Sequence, residues 1–396
     1  MRTLAARAVV VAGAYLATAL AVFAAVVVLR GIVSPDRLRD LLAFYFIAAL
    51  AAGLEPATVK ACVLAGARAP GNLAAILAAG AVKGVMVAPV LALVWRFADP
   101  AAAPALLWLS PLTAVAGFWA TDLRVLLDLR GRHAGAVWLK QGSLAGGFLL
   151  LAILVGLGAP LVLAALVSTL ARLAPPILIA RRFHLGDGAK VIQLLSGRRW
   201  LELAAISAVA AAGGSIDRVL ALRFLPATAF AGYTLVYELF TRFWLIPYLV
   251  TPILFARLAA GEASHDTVSR AWAATAALGA AFVAASIAVA VWAPALAGRV
   301  LGAPFGAAEV AFAVAVVTGA FTQLRIAQLQ AVGAVRPALA VTAIGAAVSA
   351  IAFFIGVRTA GLSGLLWAWS IKSLIELAAA LAVGDSSNRV CPRPVR

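Results

Sequence analysis

Charge is what this chain has least of, and negative charge above all. Lys and Arg number 32 against 15 Asp and Glu, and charged residues make up only 12% of 396 positions. A water-soluble domain carries about 25% charged residues, which excludes a soluble enzyme or a soluble nucleic-acid-binding module. The net charge of +17 would otherwise suggest a polyanionic partner. Cysteine is reduced to Cys62, in an apolar run, and Cys391, in the C-terminal tail; two such distant thiols imply neither a disulfide framework nor a metal site. His133, His184 and His265 all fall in loops, so no histidine metal or proton site is expected. A nucleotide-binding G-x-x-x-x-G-K-S/T loop is also missing, and ATP-driven transport by this chain alone is not expected. No cofactor is implied.

Hydrophobicity is what the chain has in abundance: 65% of its residues are apolar. Runs long enough to cross about 30 Å of hydrocarbon fall near 8–29, 42–65, 73–95, 104–121, 136–157, 160–180, 201–222, 228–256, 271–294, 308–332, 338–357 and 361–383. Continuous apolar runs exclude a barrel, leaving helices as the structure that satisfies its backbone in lipid. The expected fold is therefore an all-α integral membrane protein of about twelve transmembrane helices. The first run follows Arg2 and Arg7 and lacks a clear small-residue cleavage site before Arg30, so it reads as an uncleaved span rather than a signal peptide.

Lys and Arg concentrate in alternate loops, more than twice as many on one side as on the other, which places both termini in the cytoplasm. The most basic loop, 181–199, separates two sets of six spans. The expected organisation is an N-terminal six-helix bundle over 1–190, a C-terminal one over 200–384 and a cytoplasmic tail over 385–396. Six spans per half give the halves one orientation, as in parallel repeats.

Five basic residues stand inside these runs: Lys83, Arg172, Arg242, Arg325 and Lys372. At mid-bilayer each costs about 2.5–3.5 kcal/mol, so the set would cost roughly 12–17 kcal/mol facing lipid. They are expected to face a protein interior, and a cationic interior suggests an anionic cargo. Each has a plainer reading as a snorkelling or acid-paired side chain. Arg242 follows Glu238 by four residues and Glu376 follows Lys372 by four, so each pair shares a helix face. Arg325 sits past mid-span toward the cytoplasm, whereas Lys83 has no acid within one turn. Asp217, Glu238 and Glu376 are the acids that could bind a coupling proton or sodium ion; Asp217, expected near the outer surface beside Arg218, equally suits a surface pair. Glu202 reads as a helix-end residue.

Asp128-Leu129-Arg130-Gly131-Arg132 has the form of the D-R-x-G-R loop of major-facilitator transporters. It follows the fourth span rather than the second, and a positive-inside turn accounts for it equally. More informative is the stretch from Gly213-Gly214-Ser215-Ile216-Asp217-Arg218 through Tyr233, Tyr237, Pro247 and Pro252. With Leu301-Gly302-Ala303-Pro304-Phe305 and Gly361-Leu362-Ser363-Gly364, it resembles the Wzx-like polysaccharide flippases of the multidrug/oligosaccharidyl-lipid/polysaccharide (MOP) exporter superfamily. That resemblance implies two six-helix bundles around a central cavity, a MATE-like fold. It also implies a secondary transporter flipping a polyprenyl-diphosphate-linked oligosaccharide across the bacterial cytoplasmic membrane for surface polysaccharide biosynthesis. Implied partners are the anionic lipid-linked glycan, membrane lipids, and a polysaccharide polymerase with glycosyltransferases, with no nucleic acid. The rival readings are a drug/cation antiporter of the same superfamily and a membrane glycan polymerase or glycosyltransferase.

Overall fold

The structure, a computed structural model, describes residues 2–54, 73–100, 104–129, 132–182, 198–244, 254, 265–301, 305–331 and 334–387. Every regular element among them is helical. Seven stretches are long and apolar enough to cross a membrane, among them Ala307–Ala331 and Arg336–Val383. Glu55-Pro56, Pro247, Pro252, Gly302-Ala303-Pro304, most of the basic loop 181–199 and the tail from 388 lie outside the described residues, as do Arg130 and Gly131.

The helix Pro35–Gly53 begins as its sequence requires. Ser34 accepts a hydrogen bond from the Arg37 N–H, and Pro35 takes the first turn, where its missing donor costs nothing. The run Ala136–Gly156 is interrupted by a π-turn over Trp138–Gly142, with the Trp138 ring lying over Gly142. Between the end of Arg198–Gly213 and the start of Ile216–Phe224, Gly213-Gly214-Ser215 breaks the helix. The helix Ala227–Phe240 tightens into a 3₁₀ turn over Thr241–Trp244. The last apolar stretch, Val335–Ser387, is a helical hairpin, folded back at Ala360-Gly361, where Gly361 takes φ 57° and ψ −128°. Only glycine adopts that conformation without strain.

The chain divides into two compact units. The first comprises Met1–Ala211 and Arg218–Glu238, the second Ala212–Asp217 and Leu239–Arg396. In the first, a Cβ at Gly117 would stand 2.8 Å from the Ala51 backbone, and one at Gly84 2.8 Å from Val115 N. Glycine thus lets Pro35–Gly53, Leu73–Ala98 and Ser110–Leu129 pack backbone against backbone, as small residues do in lipid. Arg39 ties the separate segment 218–238 to this unit, donating to the Leu222 carbonyl at 2.6 Å. The Arg218 guanidinium completes the tie, 4.9 Å from the Phe46 ring centroid and 4.5 Å from that of Tyr237. In the second unit the core is aromatic: Phe240 stacks on Phe312, Phe312 meets Trp369 edge-on, and Trp369 touches both Trp244 and Phe353. Hydroxyls within the helices bond their own backbone, as Thr169 does to Ala165 O and Thr342 to Ala338 O, so they cost little in an apolar surrounding.

Candidate functional site

In the first unit the expected cations Lys83 and Arg172 are both buried. Arg172 lies on Leu161–Arg182 and is only 4% exposed. Its stem lies over Gly147 of the neighbouring helix, where an added Cβ would come within 2.6 Å of Arg172 Cγ. The same helix pair is stitched by Ser168, whose hydroxyl donates to Gly147 O at 2.8 Å. Guanidinium Nη2 donates to the Ala48 carbonyl at 3.3 Å, while Nε and Nη1 find no hydrogen-bond acceptor among the described residues. The aromatic wall beside it is Tyr45 against Phe148, ring centroids 4.5 Å apart.

Those two unsatisfied donors matter because guanidinium is planar. Nε–H and Nη1–H lie on different edges of that plane, so each open donor can take one oxygen of a carboxylate or phosphate, while Nη2, which shares an edge with Nε–H, is held by Ala48 O. Donors buried without an acceptor carry a desolvation cost, and an oxyanion reaching them would reduce it.

Lys83 is held by Leu73–Ala98 and is engaged by its surroundings. One turn earlier Gly80 makes room for Trp119 and places Asp122 3.7 Å from where a Cβ would stand. Trp119 donates to Leu77 O at 2.7 Å. Asp122, itself buried, escaped the sequence reading because it follows the apolar run 104–121. Its significance is visible only once Leu73–Ala98 and Ser110–Leu129 are laid side by side. Glu238 is also buried in this unit and engaged.

In the second unit four residues of one helix share a face: Trp369, Lys372, Ser373 and Glu376. The Lys372 ammonium is 2.8 Å from Glu376 Oε2 and 4.9 Å from the Trp369 ring centroid. The Trp369 indole N–H donates to Asp217 Oδ2 at 3.2 Å. Asp217 is therefore not the surface-exposed acid expected from its place beside Arg218; it is 0% exposed. Trp369, with Lys372 over its ring, connects it through that ammonium to another of the expected ion-site acids, Glu376, and no sequence spacing could have announced that link. Arg242, in the 3₁₀ turn, is half-buried and engaged. Arg325 is half-buried and donates to Gln328 Oε1 at 3.0 Å. The expected cations thus fall into separate places: Lys83 and Arg172 in the first unit, Arg242, Arg325 and Lys372 in the second. No group of three potential metal ligands occurs among the described residues.

No protein-family model matches the chain, and no curated protein matches it either. Solved structures do. A multidrug-resistance MATE family transporter of the MOP superfamily, in its outward-facing conformation, matches with a TM-score of 0.62 at 16% identity, covering 97% of this chain and 96% of that one. A mutant of the Vibrio cholerae MATE transporter VcmN matches with a TM-score of 0.67 at 14% identity over 98% of both chains. A MOP superfamily transporter from Pyrococcus furiosus, described as having a binding pocket of reversed polarity that suggests a different function, matches with a TM-score of 0.60 at 17% identity. That match covers 98% of this chain and 96% of the other. The chain therefore has the all-helical, multi-pass membrane fold of the MATE transporters, as its apolar pattern and its loose motifs led one to expect.

Proposed function

We propose that this chain is a secondary transporter that flips a polyprenyl-diphosphate-linked oligosaccharide across the bacterial cytoplasmic membrane by alternating access, with both termini inside. The observation that carries this reading is Arg172, a buried guanidinium whose Nε and Nη1 find no acceptor among the described residues. A diphosphate cannot cross hydrocarbon bare. In a low-dielectric interior a positioned cation binds it far more strongly than in water. Lys83, buried in the same unit, serves as the second, point-charge contact. The shared fold supports transport rather than catalysis, and the scattered acids offer no clustered active site for a polymerase or glycosyltransferase.

The division of the cations refines the cargo argument. Lys372 is already paired with Glu376, Arg325 bonds Gln328, and Lys83 and Arg242 are engaged, so the anion-binding role rests chiefly on Arg172. The drug/cation antiporter of the same superfamily is the rival, since buried acids such as Asp122 and Glu238 would suit a cationic cargo.

Reconstitution into vesicles separates the two. With a fluorescent polyprenyl-diphosphate disaccharide, the native chain should expose the sugar on the opposite leaflet. Arg172→Gln should slow this by at least tenfold and Arg172→Lys less, because lysine keeps the charge but not the fixed, spread N–H donors of the guanidinium. Efflux of a cationic dye by the native chain, with no movement of the diphosphate lipid, would overturn the proposal in favour of the antiporter.

A further inference from the structure

We propose that Lys372 is the resident cation of a built monovalent-cation site in the second unit, formed by the Glu376 carboxylate and the Trp369 ring face. The unit thus carries its own tethered counter-ion in place of a diffusible sodium ion. Each part of the site is on one helix face. Lys372 is 8% exposed, Glu376 6%, and Ser373 and Trp369 are fully buried. The ammonium meets Glu376 Oε2 at 2.8 Å and the indole face at 4.9 Å, the two kinds of partner a desolvated monovalent cation takes.

Two further features mark the site as built for a cation rather than as an incidental ion pair. First, Asp217 accepts the Trp369 N–H at 3.2 Å. A carboxylate on the indole N–H pushes electron density into the ring and deepens the attraction of its face for positive charge. Second, Gly345 on the opposing limb of the hairpin stands where a Cβ would meet Glu376 Oε1 at 2.5 Å. Only glycine leaves room for the carboxylate there. Ser373 Oγ, on the same face, has no hydrogen-bond partner among the described residues, so the ammonium is held by the carboxylate and the ring alone.

Other charged groups on the neighbouring elements are committed elsewhere. Glu309 accepts the Gly306 N–H at 2.7 Å near the start of Ala307–Ala331, and Arg325 of the same helix bonds Gln328.

This inference concerns the counter-ion and stands whatever the cargo, so its test reads cation binding instead of flipping. Purified Lys372→Ala should melt below the native chain in N-methyl-D-glucamine chloride. Millimolar NaCl or propylammonium chloride at equal ionic strength should restore it, the small ions filling the space the ammonium left. The native chain should not respond to either ion. Adding Glu376→Gln to Lys372→Ala should weaken the half-restoring sodium concentration at least tenfold. Lys372→Met/Glu376→Leu, which removes both charges and keeps the volume, should fold and ignore sodium. The proposal is overturned if sodium shifts the native chain as much as Lys372→Ala. It is equally overturned if neither ion restores Lys372→Ala while the Met/Leu variant folds.

Discussion

Two adjacent glycines provide the sharpest test of the Arg172 arrangement. A Cβ on Gly147 would stand 2.6 Å from Arg172 Cγ and 2.7 Å from Cδ, and 3.4 Å from Ser168 O. A Cβ on Gly146, one residue earlier in the same helix, would meet nothing within 4 Å. Comfortable carbon–carbon separation is about 3.5–4.0 Å, so Gly147→Ala forces the arginine stem to move by about 1 Å. Overpacking of this kind costs about 1–3 kcal/mol. The displaced guanidinium also weakens its 3.3 Å bond to Ala48 O, about 1.5 kcal/mol for a charged donor at the weak end of its range. Against this stands the gain from replacing a helical glycine by alanine, about 1 kcal/mol. Gly147→Ala should therefore lose about 1.5–3.5 kcal/mol, and Gly146→Ala should be neutral or gain up to about 1 kcal/mol. Equilibrium unfolding in mixed detergent micelles measures the difference, and vesicle flipping should fall at least tenfold for Gly147→Ala alone. If the two alanine variants matched in both assays, the close approach of Gly147 to the arginine stem, and with it the placement of the guanidinium proposed to bind an oxyanion, would be refuted.

Two other positions give independent checks. Gly364→Ala would drive a methyl group into the Gly356 carbonyl on the facing limb of the hairpin. Because both sides are backbone, the loss should reach the upper end of the overpacking range, about 3 kcal/mol, in the same micelle titration, and a neutral result would rule out that contact. Asp40 lies in the polar turns ahead of the apolar run of Pro35–Gly53. Burial, and then the neighbouring charge of Asp99, raise its carboxyl above the usual 3.8, with Asp36 adding to the rise and Arg39 opposing it. A raised folded-state value favours the protonated form, so ionising Asp40 costs stability as pH climbs through that value. Asp40→Asn should accordingly be more stable than the native chain at pH 7, with the gain vanishing below about pH 3.8. A pH-independent difference would remove Asp40 as its source.

The helices were legible because the spans are nearly uninterrupted apolar runs, and the backbone has no other way to be satisfied in lipid. The break at Gly361 was legible, since the runs 338–357 and 361–383 part there, but the run 201–222 was read as continuous and the structure breaks it at Gly213-Gly214. What the pattern does not carry is which side chains meet across helices. Lys372 and Glu376 could be paired from a spacing of four on one helix. Asp217 and Trp369 are 152 residues apart, and only the folded chain puts a carboxylate on that indole. Asp122 was missed for the same reason, since its approach to Gly80 is made across to another helix.

The cost of buried charge gives the five intramembrane cations a common origin and different ends. Sequence alone can say that roughly 12–17 kcal/mol must be offset somewhere, not how. Lys372 is offset within its own helix by Glu376 and the Trp369 ring, and Arg325 in part by Gln328. A charge offset inside the protein has no remaining need for a ligand, and binding one there would first have to break what it already has. Arg172 differs in kind: it is as deeply buried as Lys372, yet among the described residues it donates to one carbonyl, at 3.3 Å, and two of its donors find no acceptor. Burial without satisfaction is tolerable where something else completes the set during the working cycle. That asymmetry, more than the number of basic residues, is what points an anionic group toward the first unit.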